Sequence, residues 1–219
     1  MKKTAGPASK ATPAPATSDG SDPPADRPDG RTARSERTRK AIVEALLALL
    51  AEGDQRAAPE RIVGRAGVSL RTLWTNFKDL EHLYAEANDA LMRRQDEAHR
   101  PIPPEDPLDS RVSAYGEQRA RLLEILAPAA RASQMRLPYS PQLRRNQQAH
   151  IVRMRAELNT VFGTELDAAG GEREQLVRAL LAATSSPVWS ALRDDLGLDV
   201  PTSTEVITTT VGALLTTMS

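Results

Sequence analysis

From Ser35 onward, hydrophobic residues recur every three or four positions, which is the spacing of one face of an α-helix. In the first such segment the stripe consists of Ile42, Leu46, Leu49 and Leu50. The same period returns in several later segments, and glycines and prolines separate these segments from one another. We find no convincing strand pattern and no internal repeat. The pattern therefore predicts an all-α protein.

Two short helices joined by a tight turn are predicted between Ala58 and Phe77. Pro59 suits the first turn of the leading helix, and Gly67 suits a left-handed stop after it. Ser69 is a good N-cap for the following helix, which spans about Leu70–Asn76. The apolar residues that can form a small shared core are Ile62, Val63, Ala66, Val68, Leu73 and Phe77. These are the parts of a helix-turn-helix, whose second helix lies in the DNA major groove.

The second helix of this motif exposes side chains that are suited to reading DNA. They are Leu70, Arg71, Thr72, Thr75 and Asn76. Arg71 can pair with a guanine through two hydrogen bonds, and the hydroxyls and the amide can reach other base edges or phosphates. Ser69 would leave the N-terminus of the helix pointing at a backbone phosphate. The alternative is a generic helix pair inside an all-helical protein.

The segment IVGRAGVSLRTLWTNFKDLEHLY, which begins at Ile62, resembles the signature of the TetR family of transcriptional regulators. The matching positions are Ile62, Arg65, Ala66, Gly67, Val68, Ser69, Leu73, Trp74 and Phe77. The C-terminal stretch SSPVWSALRDDLGLDVPTSTEVITTTVGALL also resembles the end of many such regulators. The resemblance implies an N-terminal three-helix DNA-binding domain at 34–79 and a C-terminal helical domain at 80–219 for ligand binding and dimerisation. It further implies a repressor that a small-molecule effector releases from a palindromic operator.

The resemblance also assigns roles to residues around the second helix of the motif. Trp74 stands where the family has a phosphate-contacting Tyr, and its indole N–H can still donate to a phosphate. Asn76 stands where His or Tyr is usual, and Lys78 can substitute for a family Lys that is replaced here by Leu80. A threonine that commonly caps the first helix of the motif is replaced by Ala58. These departures leave open a helical interaction protein that has lost specific DNA binding.

The charge of the chain supports nucleic-acid binding only locally. With 29 basic and 29 acidic residues the net charge is zero, so a global basic excess is absent. A basic run at 31–40 contains Arg37 and Arg39, which we expect to contact DNA. Residues 1–33 are rich in Pro, Gly, Ser, Thr and Ala and cannot bury enough surface to offset the entropy of ordering. They are predicted to form a disordered tail, either without a specific role or as an arm that strengthens DNA contact.

Several classes of protein are disfavoured by what the sequence lacks. It contains no cysteine, which excludes disulfides and thiol catalysis and fits a reducing cytosol. No run approaches the roughly 20 apolar residues of a membrane span, and no secretory signal is recognisable, so a cytoplasmic protein is expected. His82, His99 and His150 lie on separate predicted helices without metal-ligand spacing, so no metal or other cofactor is expected. A small cytosolic enzyme is a remaining alternative, and it would need a cluster of titratable residues in a pocket.

A homodimer is expected through the helices near 172–195 and 202–218. Their apolar residues cover a wider arc than one packing partner needs. These residues are Leu176, Val177, Leu180, Leu181, Val206, Ile207, Val211, Leu214 and Leu215. A two-fold dimer also reads a palindrome, whereas one motif alone reads few bases. An intramolecular core is the alternative explanation of the same pattern.

A small-molecule pocket in the C-terminal domain is implied by the resemblance. The long helix that begins at Pro141 places polar residues on or beside its inner stripe, and buried polar groups need partners. Methionine adapts to varied shapes and aromatic rings offer flat contact, so both suit such a pocket. The candidate ligand-binding residues are Tyr115, Met135, Gln147, His150, Met154 and Trp189. We expect an apolar or aromatic effector with one or two polar groups; plain core packing is the alternative for each residue.

Overall fold

The computed structural model describes residues 30–134 and 137–217, and every regular element in these ranges is helical, as predicted. The helices are α1 (Gly30–Ala51), α2 (Pro59–Ala66), α3 (Leu70–Asn76), α4 (Leu80–Ala98), α5 (Leu108–Gln134), α6 (Pro141–Val161), α7 (Gly163–Ala168), α8 (Arg173–Ala183), α9 (Ser186–Ser190) and α10 (Val200–Thr217). Short 3-10 turns occur at Leu137–Tyr139 and Gly170–Glu172, and a π-helical turn, Ala191–Asp195, follows α9. Residues 1–29 of the expected tail and the candidate ligand residue Met135 lie outside the described residues. None of the helices in the described ranges combines the length and apolar composition of a membrane span.

Helices α1 to α4 and one end of α5 share the first of two hydrophobic cores. The largest contribution comes from the buried face of α1, which consists of Ile42, Val43, Ala45, Leu46, Leu47, Leu49 and Leu50. Leu83, Leu91 and other side chains of α4 pack into the same core. The expected domain boundary between residues 79 and 80 therefore falls at the start of α4, although the side chains of this helix pack into the core of the N-terminal unit. Because α4 also contacts α5 and α6, it connects the two halves of the molecule.

The C-terminal helices pack around α5 and enclose the second core. Tyr115 on α5 meets Phe162 edge to face, with their ring centroids 5.3 Å apart. The side chains of α8 and α10 that are fully or almost fully buried in this core are Leu176, Val177, Leu180, Ile207, Val211 and Leu215. Most of the apolar residues on which the expected dimer rested are thus buried within one chain.

Helices α5 and α10 approach each other closely at Gly116. A Cβ atom placed on Gly116 would lie 2.0 Å from the Oγ1 atom of Thr208 and 3.4 Å from its Cα atom. The Thr208 hydroxyl donates to the carbonyl of Thr204 at 2.8 Å, which holds it in this position. Only a residue without a side chain allows the two helices to pack at this distance.

Three helix boundaries differ from the sequence prediction. Helix α1 begins at Gly30, five residues before Ser35. A proline inside a helical pattern predicts the end of the helix, but α5 continues through Pro128 to Gln134. The proline lacks a backbone donor, and the burial of neighbouring residues such as Ala127 and Ala132 in the two cores offsets that loss. Thr202 and Glu205 have the spacing of a capping box, which predicts a helix start at Thr202. That prediction is wrong: helix α10 begins at Val200 and is capped by Asp199, whose Oδ1 accepts from the Thr202 amide at 2.9 Å.

Candidate nucleic-acid interface and ligand cavity

The turn between α2 and α3 is fixed by backbone geometry and by a shared core. Gly67 has a φ of 67°, in the left-handed region that favours glycine. The amide of Val68 donates to the carbonyl of Val63 at 3.1 Å and closes the turn. Ile62 on α2 and Leu73 on α3 are fully buried beneath it. The sequence therefore sets α3 at a defined angle to α2, as a helix-turn-helix requires.

The start of α3 is capped as expected. The Oγ atom of Ser69 accepts a hydrogen bond from the Thr72 amide at 3.1 Å, and it lies 2.9 Å from the Thr72 hydroxyl. Both hydroxyls are therefore already engaged within the protein, although Ser69 and part of Thr72 remain accessible to solvent. This arrangement stabilises the first turn of α3 and orients its backbone amides outward.

One face of α3 and the residue that follows it are open to solvent. Leu70 and Trp74 are 37% and 44% exposed, which is unusual for large apolar side chains. Arg71 is exposed, and within the described residues its side chain has no ion pair or hydrogen-bond partner. Lys78 is also exposed, one helical turn beyond Trp74. This face combines two exposed cations, an indole N–H and an apolar edge, and α3 carries no acidic residue.

The amide of Asn76 is committed to the protein rather than free for DNA. Its Nδ2 atom donates to the Thr72 carbonyl at 2.8 Å, and its Oδ1 atom accepts from the Ser35 hydroxyl at 3.4 Å. Thr75 likewise donates its hydroxyl to the Arg71 carbonyl at 2.8 Å, although its oxygen can still accept. The expectation that Asn76 donates to DNA is not favoured by this geometry, because both ends of the side chain already have partners.

Arg39 has a structural role that the sequence analysis did not foresee. Its guanidinium pairs with Glu86 of α4 and donates to the Asn76 carbonyl at the end of α3. It also lies over the ring of Phe77, 4.5 Å from the centroid. Arg39 therefore joins α1, α3 and α4, whereas Arg37 on the same helix is exposed and remains available.

The two departures from the family pattern have structural counterparts. Ala58 precedes α2 without any side-chain cap hydrogen bond. Leu80 packs against the N-terminal core, so its position offers no donor for a phosphate. Asp79 caps α4 instead: its Oδ1 atom accepts from the His82 amide at 2.9 Å and lies 2.8 Å from the His82 Nδ1 atom. These hydrogen bonds from His82 lower the pKa of the Asp79 carboxyl.

A cavity of about 430 Å³ lies between α4, α5 and α6. Its apolar wall includes Ile102, Leu122 and Met154, and its polar wall includes Gln95 and Gln118. A smaller cavity of about 140 Å³ lies beside it, among α4, α5, α6 and the start of α9. The volume of the larger cavity falls within the range typical of small-molecule sites.

His150 lines both cavities, and neither of its ring nitrogens has a hydrogen-bond partner within the described residues. Burial, and secondarily the positive charge of Arg119, lowers the pKa of His150 to about 4. His150 is therefore neutral at pH 7, with one donor and one acceptor nitrogen available to a ligand or a water molecule.

The structure brings together only some of the candidate ligand residues. His150 and Met154 line the larger cavity, and Gln147 is exposed at the rim of the smaller one. Tyr115 is fully buried against Phe162 and lines neither cavity. Trp189 is 1% exposed, and its Nε1 atom donates to Glu124 at 2.7 Å. Tyr115 and Trp189 thus pack in the core, and neither lines the two cavities.

Comparisons with known structures bear on the arrangement of these helices. The chain is similar to a TetR transcription regulator from Haloarcula marismortui ATCC 43049, with a TM-score of 0.65 and 19% identity, over 84% of this chain and 98% of that one. The chain has the TetR-family fold. It is also similar to a transcriptional regulator from Rhodococcus sp. Rha1 (TM-score 0.59, 22% identity, 83% and 96% covered) and to a regulator of the TerR/AcrR family from Aquifex aeolicus VF5 (0.53, 18%, 81% and 99%). No protein-family model and no curated protein matches the chain.

Within this TetR-family fold, the sequence analysis missed the buried polar residues of α5. Arg119 is 1% exposed and Gln118 is equally buried, and both line the larger cavity. A signal was present, since Arg119 follows Tyr115 by four positions and precedes Leu122 by three, which places it on the inner stripe. No group of three His, Asp or Glu side chains within residues 30–134 and 137–217 could hold a metal ion.

Proposed function

We propose that this protein is a sequence-specific DNA-binding transcriptional regulator whose helix α3 enters the major groove of its operator. The observation that carries the proposal is the exposed face of α3, on which Arg71 and Trp74 have no hydrogen-bond or ion-pair partner among the described residues. An exposed guanidinium without a carboxylate partner is suited to a guanine edge, and the indole N–H is suited to a phosphate. A DNA partner agrees with the cytoplasmic location expected from the sequence.

The test is binding of genomic DNA fragments, measured by gel shift or fluorescence anisotropy. Arg71→Ala should weaken the free energy of DNA binding by roughly 1–3 kcal/mol and relax the sequence preference at one base pair. Lys78→Ala should weaken binding to all DNA sequences about equally, and the salt dependence of binding should fall by about one released ion. Arg121→Ala, an exposed arginine on α5, is the matched control and should have neither effect.

If Arg71→Ala leaves the sequence preference unchanged, the assignment of α3 as the reading helix fails. If the protein binds no genomic fragment selectively, the alternative of a helical interaction protein gains support. The proposal assigns the protein no catalytic role.

The regulator is proposed to act as a homodimer through α8 and α10. The outer face of α10 is exposed yet almost without charge, with Glu205 as the only charged residue between 203 and 217. Thr210 and Thr216 donate their hydroxyls to carbonyls of their own helix, at 2.8 Å each, and so present mainly methyl groups to solvent. The exposed residues of this face are Val206, Thr209, Thr210, Ala213, Thr216 and Thr217. Small and β-branched residues of this kind allow close packing against the same helix of a second copy.

The dimer is tested by light scattering at micromolar concentration, where the wild type should show twice the chain mass of 23.8 kDa. Val206→Glu should shift the mass toward the monomer, because it places a carboxylate in the proposed interface. Val152→Glu changes a valine of α6 that is 65% exposed, and it is the matched control. A monomeric wild type would contradict this part of the proposal.

Release by a small-molecule effector is the final part of the proposal. One end of α4 adjoins the end of α3 through Asp79, and the other end lines the larger cavity through Gln95 and His99. The 19 residues of α4 extend over about 28 Å, so a ligand that moves one end displaces the other. Differential binding of the ligand to two orientations of α4 would then lower the affinity for the operator.

A thermal-shift screen followed by gel shift tests this release. A hit should raise the melting temperature, release DNA, and lose both effects in His150→Ala. Tyr139→Ala is the control because this side chain is 87% exposed and lies outside the larger cavity. A ligand that binds in the cavity and leaves DNA affinity unchanged would argue against the release mechanism.

A further inference from the structure

Two arginines of α5 are buried to nearly the same extent but differ in their partners. Arg111 is 6% exposed and donates to both carboxylate oxygens of Glu165, at 2.6 and 2.9 Å. It donates also to the backbone carbonyls of Val161 and Asp106, at 2.6 and 2.8 Å. Arg111 therefore has the charged and polar partners that a buried guanidinium requires.

Arg119, two helical turns later, is 1% exposed and forms no ion pair within the described residues. Its NH2 atom donates to the Thr184 carbonyl at 2.8 Å and lies 3.6 Å from the Met154 sulfur. Its Nε atom has no acceptor among the described residues. A guanidinium that is buried without a carboxylate is costly, because the carbonyl at the end of α8 supplies only a partial charge.

Neither acidic residue of the cavity wall forms an ion pair with Arg119 among the described residues. Asp96 forms an ion pair with Arg153. Glu157 accepts from Gln118 Nε2 at 2.7 Å, and it lies 3.3 Å from Nε2 of His99. Among the described residues, Arg119 is thus a buried cation of the cavity wall that no carboxylate contacts.

We propose that the larger cavity binds a small organic carboxylate, whose carboxylate group pairs with Arg119 and whose apolar body lies along Ile102, Leu122 and Val161. The neutral imidazole of His150 is placed to donate one hydrogen bond to the same ligand, since it lines the cavity and its ring nitrogens have no partner among the described residues. The cavity volume of about 430 Å³ suits a single aromatic ring or a medium alkyl chain on that carboxylate. The proposal rests on the proposed function only for the consequence of binding, not for binding itself.

The test uses matched pairs of acid and amide on the protein without DNA: 4-phenylbutyrate against 4-phenylbutanamide, and octanoate against octanamide. At pH 7 the acids should raise the melting temperature, and the amides, which lack the charge, should not. Calorimetric titration should show that Arg119→Met weakens binding of the acids by roughly 10- to 100-fold, the loss expected for one charge-assisted pair. Arg119→Lys keeps the positive charge but lacks the planar guanidinium, so its affinity for the acids should lie between that of the wild type and that of Arg119→Met.

Two further measurements keep the test decisive if one variant folds poorly. The joint replacement Arg111→Met with Glu165→Met removes the neighbouring buried pair and should retain affinity for the acids. In an NMR titration of the wild type, the pKa of His150 should rise when an acid saturates the cavity, because the ligand neutralises the charge of Arg119.

The proposal is overturned if neither acid binds, if acid and amide bind equally, or if Arg119→Met leaves acid affinity intact. The failure of the proposed function is a separate result, since it is read from DNA binding. If the acids bind through Arg119 without changing the affinity for the operator, the carboxylate site is supported and only the proposed release mechanism is contradicted.

Discussion

The contact between α5 and α10 provides the sharpest quantitative prediction, because a single added methyl group tests it. In Gly116→Ala the new Cβ would lie 2.0 Å from Thr208 Oγ1 and 3.1 Å from Thr208 Cβ. Rotation of the Thr208 side chain could relieve the first contact, but it would break the hydrogen bond to Thr204. The second contact, at 3.1 Å, is relieved only if the two helices move apart by a few tenths of an ångström, because the Cβ atom of Thr208 is fixed to the backbone.

The expected change in the free energy of unfolding is the balance of one stabilising effect and two destabilising effects. Replacing a helical glycine by alanine stabilises a helix by about 1 kcal/mol. Overpacking of a close interface costs about 1–3 kcal/mol, and the lost Thr208 hydrogen bond costs about 1 kcal/mol more. Gly116→Ala should therefore lower the free energy of unfolding by about 1–3 kcal/mol.

Gly64→Ala is the matched control, since Gly64 is also helical and no atom lies within 4 Å of the Cβ it would gain. This change should raise the free energy of unfolding by up to about 1 kcal/mol. Both variants can be compared by urea unfolding at one protein concentration, followed by circular dichroism. Thr208→Ala should partly rescue Gly116→Ala in a double-mutant cycle. Equal effects of the two alanine substitutions would refute the close approach of α5 and α10.

Three other predictions concern single side chains. Ser69→Ala removes the cap of α3 and should lower the free energy of unfolding by about 1 kcal/mol, while Ser69→Asp should retain it; equal stability of the two would contradict the cap. Arg39→Met should lower the melting temperature yet leave the salt dependence of DNA binding unchanged, because this guanidinium is occupied by Glu86 and Phe77; a reduced salt dependence would instead indicate a phosphate contact. His150 has its pKa lowered from 6.5 to about 4, so the unfolded chain binds a proton first as the pH falls, and stability is lost between those values. Relative to His150→Gln, the wild type should lose up to about 3 kcal/mol in urea unfolding between pH 7 and pH 4, and parallel pH profiles would refute this assignment.

The features that could be predicted from the sequence are local: each depends only on residues that lie close together along the chain. The positive φ of Gly67, the cap at Ser69 and the bounds of α3 all follow from local backbone preferences. The all-α fold follows from the hydrophobic period, since a helix satisfies its backbone hydrogen bonds internally and needs only one apolar face to pack on the core. The exposed position of Arg71 could be read in the same way, from its place relative to Leu73.

Other features depend on which helices meet in space. The sequence does not distinguish Arg37 from Arg39, because only the packing of α1 on α4 brings Glu86 to one of them. Trp189 resembles a ligand-binding residue until α5 places Glu124 beside its indole. Pro128 resembles a helix end until two cores enclose the residues around it.

Arg111 and Arg119 show this division most clearly, since both fall on the inner stripe of α5 and their burial can be read from the helical period. Their partners cannot be read in this way. Glu165 lies 54 positions after Arg111, and the Thr184 carbonyl lies 65 positions after Arg119. Periodicity determines which side chains turn inward, because it is a property of a single helix. The charge that each meets is decided only when helices distant in sequence pack together, and that packing left Arg119 at a cavity wall without a carboxylate paired to it among the described residues.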